Sequence, residues 1–251
     1  MLSTTMKNQV NQWRSHLFHW HRRSRALLPG ECLICAEPVT HRQDLCQACR
    51  HELPANRSCC SHCAEPLLPG LASGTTQPLR CIRCGSQPPA FDRILAPWRY
   101  APPLDQLLMR FKYQRDRTAG YLLLDLLLEV LPETGHDALL VIPGQKERIR
   151  ERGLHAPGWL ASRLALHAGW AYQPEWLLRQ KAITSQQELG RKARWLNPRG
   201  AFRASPAVAG KTLLLLDDVV TTGATVHWAS QALKVQGALR VDVICVARTP
   251  A

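Results

Sequence analysis

From Phe91 onward the chain alternates short aliphatic runs with amphipathic stretches; before that point it does neither. Ile94–Tyr100 reads as a first strand. Pro103–Tyr113 and Ala119–Leu131 space their apolar residues three and four apart, as helices with one buried face do, and the second is Leu-rich. Leu139-Leu140-Val141-Ile142-Pro143 is a second strand, apolar on both faces, and Ala156–Ala168 a further helix. Lys211–Asp217 predicts a strand, Thr225–Gln236 the helix after it, and Leu239–Ala247 a last strand. Continuously apolar strands separated by helices belong to a parallel sheet covered on both faces, so the expected class is α/β.

The first third lacks this rhythm. Residues 1–30 form a basic arm rich in His, Arg and Trp, residues 31–88 a cysteine module, and Pro88-Pro89 a boundary before the α/β domain of 89–251. Eight of the ten cysteines make four CxxC pairs: Cys32/Cys35, Cys46/Cys49, Cys60/Cys63 and Cys81/Cys84. Two such knuckles build one tetrahedral four-thiolate zinc site, so four suit two structural zincs. Successive pairing is the simplest arrangement, with cross-bracing the alternative. A disulfide scaffold fits less well, because no signal peptide precedes the cysteines: Trp13–Arg23 is too polar for one. A redox motif would need one CxxC on a βαβ unit. Cys59 is a spare thiol, and Cys245 falls in an apolar run as a small core residue. The module is too small to fold without metal, so chelation is expected to unfold 31–88 and spare the α/β domain.

At 251 residues and 45% hydrophobic, the chain holds one good core plus a small accessory module. No run reaches the ~20 apolar residues of a membrane span, and a cytoplasmic location is expected. The formal charge of +13 falls to about +9 once two four-thiolate sites are loaded. That excess implies an anionic partner such as nucleic acid or polyphosphate, or simply a basic soluble protein.

The chemistry concentrates in Leu213-Leu214-Leu215-Leu216-Asp217-Asp218-Val219-Val220-Thr221-Thr222-Gly223-Ala224-Thr225. A buried strand carries two acids to its carboxyl end, where open α/β sheets bind ligands. Thr221, Thr222, Gly223, Ala224 and Thr225 can wrap backbone N–H groups and hydroxyls around a phosphate at a helix N-terminus. Asp217 and Asp218 are placed to accept from vicinal hydroxyls, so a sugar phosphate is the natural ligand. The run resembles the phosphoribosyl-pyrophosphate (PRPP) signature of type I phosphoribosyltransferases at every position.

Further segments resemble the ComF family, also called GntX, which joins a double zinc ribbon to a type I phosphoribosyltransferase domain. They are the four knuckles, Phe111-Lys112-Tyr113, Val141-Ile142-Pro143 leading to Arg152-Gly153, and Arg179 with Thr184, Gln186 and Leu189. Arg194, Asn197, Ala201-Phe202 and the closing Val246-Ala247-Arg248 complete the set. Two departures stand out: Arg152-Gly153-Leu154-His155-Ala156 where the family has Arg-Gly-Phe-Asn-Gln, and Ile142-Pro143-Gly144 for its Pro-Val-Pro. His155 is read as a surface or supporting residue. Purine-salvage transferases carry an acid at the position of Thr221, so purine salvage is disfavoured.

The resemblance implies a parallel sheet with a hood over the site (Arg179–Phe202) and PRPP bound with Mg²⁺. Thr221–Thr225 would hold the 5′-phosphate and Asp217 and Asp218 the ribose. Pro143, Gly144 and Gln145 with Lys146 would face the pyrophosphate, and Arg194, with Arg191 and Lys192, would close on it. Asp217, Asp218 and Lys146 are then the catalytic candidates. Nothing in the sequence specifies an acceptor, so transfer and PRPP sensing remain open. The family implies a role in DNA uptake or use, with single-stranded DNA and a competence-machinery helicase or other protein as partners; the alternatives are a conventional transferase acting on a base or small amine, and a PRPP-sensing regulator. Trp13, Trp20 and Trp195 lie among cations and could stack on bases, with Trp195 equally suited to a core.

Overall fold

The structure, a computed structural model, describes residues 30–39, 44–67, 79–131, 135–180 and 195–250, without the side chains of Lys146, Arg148 and Arg152. The expectations for the basic arm with Trp13 and Trp20, and for Arg191, Lys192 and Arg194 in the hood, lie outside the described residues.

Two nine-residue strands, β8 (Thr212–Val220) and β9 (Arg240–Arg248), form the centre of the molecule. They pair in parallel, and β5 (Ala138–Val141) adds to β8 in the same sense. On the other side of β9 lie β3 (Arg93–Leu95) and, further along the same edge, β4 (Trp98–Arg99), both parallel to it. The sheet order is therefore β3–β9–β8–β5, with β4 also on β9. The expected single strand Ile94–Tyr100 is broken at Ala96-Pro97, because a proline has no N–H to give a ladder.

The pleat sends alternate leucines of β8 to opposite faces. Leu214 and Leu216 pack with α3 (Leu104–Tyr113), α4 (Arg117–Leu128) and α6 (Ala156–Ala168). Leu213 and Leu215 pack with α7 (Ala224–Val235). An antiparallel pair, β6 (Leu177–Arg179) with β7 (Phe202–Ala204), joins the two ends of the segment that the resemblance reads as a hood. This pair and the short helix α5 (Lys146–Arg152) are absent from the sequence reading. In α5 a single Ile interrupts a run of charged residues, so no apolar stripe announces it. Gly153 ends it in the left-handed region at φ 65°, the usual glycine helix stop.

The cysteine module comprises β1 (Gly30–Glu31), β2 (Pro38–Val39), α1 (Gln47–His51) and α2 (Ile82–Ser86). It is joined to the sheet rather than tethered beside it. Cys32, Leu45, Cys49 and Leu53 belong to the core on the α3/α4/α6 face. Cys60, Cys63, Ala64 and Cys84 belong to the core on the α7 face. The module also covers the outer edge of the sheet: Ile94 N donates to His62 O at 2.8 Å, Arg99 N to Pro54 O at 2.8 Å, and Asn56 N to Pro97 O at 2.8 Å. Edge groups that would otherwise face water or another chain are thereby satisfied. No described helix is long and apolar enough to cross a membrane.

Candidate functional site

The cysteines fall into two groups of four, Cys32/Cys35/Cys46/Cys49 and Cys60/Cys63/Cys81/Cys84, with all four sulfurs of each within 4.8 Å of one another. The pairing is successive. Four thiolates around zinc at ~2.3 Å place neighbouring sulfurs about 3.8 Å apart; Cys35 and Cys46 lie 3.7 Å apart, and Cys63 and Cys81 3.6 Å apart. Cys49 N points at Cys46 Sγ from 3.4 Å, as knuckle amides do toward a thiolate. The donor set and spacing fit zinc at both sites. Cys59 stays outside the second quartet. Cys245 is fully enclosed, and burial pushes its thiol up to about 12, which suits the core role read from sequence.

The second site is built at the carboxyl ends of β5 and β8. Because β8 runs on to Val220, Asp217 and Asp218 lie inside the strand and not beyond its end. Asp218 joins the Leu214/Leu216 side, where Lys112 Nζ from α3 meets its Oδ2 at 3.0 Å, with both side chains largely buried. Burial and the adjacent Asp218 carboxylate push Asp217 up to about 7, against the pull of Lys112 and Arg179. The sequence expectation of two equivalent acids thus resolves into one paired with a cation and one poised near neutrality.

After Val220 the chain turns sharply. Gly223 adopts φ 79° as the N-cap of α7, a conformation that favours glycine. Thr222 Oγ1 accepts from Ala224 N at 3.3 Å. Thr221 is exposed, Thr222 and Thr225 are half-buried, and Gly223 and Ala224 are buried. The turn therefore sits at the N-terminus of a 12-residue helix, where the dipole favours an anion.

Pro143, Gly144 and Gln145 follow β5 and are half-buried; Lys146 opens α5. Ile142 N bonds Leu216 O at 3.0 Å, so this loop starts alongside the acids. Arg179 at the end of β6 donates from Nε to Pro143 O at 2.8 Å and lies over the Phe202 ring. His155 is not a surface residue. A Cβ on Gly144 would stand 2.8 Å from its Cδ2, and one on Gly158 2.5 Å from its Nδ1. Burial lowers the His155 pKa despite the nearby Asp218 charge, so the imidazole faces the site uncharged at neutral pH.

Three residues that the sequence reading gave no role stand at this site. Lys112 is the centre of the Phe111-Lys112-Tyr113 element and pairs with Asp218. Arg83 lies between Cys81 and Cys84 and donates to Thr222 O at 2.8 Å. Arg248 closes an apolar strand, and a charged residue there is the one signal that could have marked it. Trp195 is half-buried, with Arg83 over its ring at 5.0 Å and His227 at 5.0 Å. His227 in turn packs edge-on against Trp228, whose indole N–H bonds Trp195 O at 2.8 Å.

Comparison with known proteins agrees with this arrangement. A double zinc ribbon domain family matches residues 24–84, and a phosphoribosyl transferase domain family matches residues 171–251. The chain is 33% identical over 232 residues to DNA utilization protein YhgH of Escherichia coli (strain K12), covering 88% of this chain and 98% of that protein. It is 27% identical over 223 residues to Competence protein F of Haemophilus influenzae, covering 82% and 91%. Ribbon and transferase domain occur here in one chain, in the same order as the sequence motifs, and these relatives match along nearly their whole length: the chain belongs to the ComF family.

Proposed function

We propose that this protein binds PRPP with Mg²⁺ at the carboxyl end of β8 and acts on single-stranded DNA during its uptake or use as a nutrient. The observation that carries the ligand assignment is the Thr221–Thr225 turn, opening α7 beside two carboxylates of opposite electrostatic fate. The turn presents a left-handed glycine and a helix N-terminus to the 5′-phosphate. Asp218 is committed to Lys112, which leaves Asp217 as the oxygen donor toward the ribose hydroxyls or a Mg²⁺-bound water; hard oxygen donors fit that ion. When bound, Mg²⁺ supplies charge neutralisation at the pyrophosphate. The Gly144 and Gln145 amides face the same group, with Arg179 holding the loop by the Pro143 carbonyl and Lys146 opening the helix that follows. Arg194 would close over the pyrophosphate from the hood. His155, uncharged, borders the loop and limits water there.

The DNA role rests on the names of the relatives and on the charge of +13. A basic surface releases counterions from phosphates, so binding should fall steeply with salt and show little sequence preference. Fluorescence anisotropy of a labelled 30-mer over a salt series tests it; absence of binding at low salt removes DNA as a direct partner. A pyrophosphate-release assay with PRPP and a panel of bases and nucleotides separates transfer from sensing. The location consistent with this role is the cytoplasm.

A further inference from the structure

Arg248 is fully buried at the end of β9, a costly place for a charge unless every donor is used. Its Nε donates to Cys63 O at 3.2 Å, and its Nη2 pairs with Glu65. Its Nη1 donates to Val220 O at 3.1 Å, to Thr249 O at 2.7 Å, and to Thr221 O. One end of the guanidinium therefore grips the third zinc knuckle, and the other grips the start of the Thr221–Thr225 turn. Arg83, on the fourth knuckle, takes the next carbonyl along, Thr222 O, at 2.8 Å.

The consequence follows from peptide geometry. In a planar trans peptide the C=O and the next N–H point in opposite directions. Three successive carbonyls, of Val220, Thr221 and Thr222, are held by two arginines on the ribbon side. The amides of Thr221, Thr222 and Gly223 must then point away from the ribbon. Among the described residues these three N–H groups donate to no backbone acceptor. They form a row of aimed, available donors, the kind of nest that binds phosphate.

We propose that Arg83 and Arg248 are positioning residues for the Thr221–Gly223 amides, so that metal in the Cys60/Cys63/Cys81/Cys84 quartet sets how tightly this turn holds the 5′-phosphate. The inference rests on the PRPP reading above and adds a regulatory input to it. Cys63 and Glu65 carry the acceptors for Arg248, and Cys81 and Cys84 flank Arg83, so the same four thiolates fix both arms. Loss of that metal releases both grips, and the amides lose their common aim.

The test is calorimetric titration of the zinc-loaded, full-length protein with Mg·PRPP, with ribose 5-phosphate and with inorganic pyrophosphate. Arg83→Met should weaken PRPP and ribose 5-phosphate about tenfold, the equivalent of one charge-assisted hydrogen bond. Zinc content, melting temperature and pyrophosphate binding should stay unchanged. Arg83→Lys, which still reaches a carbonyl, should restore most of the affinity. Cys81→Ser, retaining one zinc per chain, should melt lower but, at a temperature where circular dichroism shows it folded, should lose PRPP and ribose 5-phosphate affinity relative to pyrophosphate in the same way; if that variant does not fold, the Arg83 pair decides. Wild-type affinity in Arg83→Met and Cys81→Ser would overturn the proposal while leaving PRPP binding intact. Loss of zinc or of thermal stability in Arg83→Met would reassign Arg83 to the fold and also overturn it. Failure of the wild-type protein to bind PRPP would refute the proposed function, and this inference with it.

Discussion

Removing zinc should destabilise the central sheet and not only the ribbon. The sequence alone points to a detachable module, but the two quartets sit in the two cores that cover the sheet, one on each face. Cys60, Cys63 and Cys84 are at most 1% exposed and pack in the same cluster as Phe91, Ile94, Val220 and Val243. A lower bound on the effect comes from chain closure. The second site ties off about 25 residues and the first about 18, worth roughly 3.5 and 3 kcal/mol by the loop-entropy relation for a cross-link. The ligand bonds raise this toward the ~10–16 kcal/mol found for structural zinc in small domains. A domain of this size has only ~5–15 kcal/mol in total. Either loss is therefore comparable to the whole stability. Hydrogen exchange by mass spectrometry, with and without chelator, reads the result residue by residue. Amides of β8 and β9 should lose protection together with those of 44–67 and 79–88. Protection of 212–248 unchanged after verified zinc removal, with 44–67 fully exchanged, would refute the shared-core argument.

Lys112→Met should raise the Asp217 midpoint above about 7, since Lys112 is one of the charges holding it down; a carboxyl-carbon NMR titration unchanged from wild type would contradict the geometry. Asp242 is fully buried, with Arg93 and Arg240 at 3.0 Å and His136 at 3.1 Å, and these partners outweigh burial to hold its carboxyl at about 2. Because its folded pKa lies below the unfolded 3.8, it contributes about 2 kcal/mol above pH 4 that is lost as pH falls toward 2. Asp242→Asn should flatten the acid limb of urea stability measured over that window, and an unaltered limb would exclude the role. Gly144→Ala should weaken PRPP binding by about 1–3 kcal/mol, because its Cβ would stand 2.8 Å from His155 and Ile149 and force the ring to move; equal affinity would show that His155 does not shape the site.

Much of the fold was legible because its central strands are apolar on both faces, so Leu213–Leu216 and Val241–Val246 could belong only to a covered parallel sheet. The zinc quartets were legible from spacing, and the acids from their place after a buried run. What escaped has physical causes. α5 carries no apolar stripe, and β6 and β7 are three residues each, too short for a period to register. The split of the first strand turns on one proline. The roles of Lys112, Arg83 and Arg248 depend on partners far away along the chain, Lys112 with Asp218, Arg83 with Thr222 at a separation of 139 residues and Arg248 with Cys63 at 185, and no local pattern encodes such partners. His155 looked peripheral because a lone histidine carries no spacing; only its packing against Gly144 and Gly158 places it at the site.

The central claim is that Asp217 and the Thr221–Thr225 turn hold PRPP. Titration of Mg·PRPP into the zinc-loaded protein and its Asp217→Lys variant, with circular dichroism confirming that both are folded, tests it most directly. The account predicts saturable one-site binding by the wild type. It predicts a loss of about 10- to 150-fold in the variant, the worth of a charge-assisted hydrogen bond to a ribose hydroxyl at ~1.5–3 kcal/mol. Equal affinity in the two proteins, or no binding by the wild type, would contradict it.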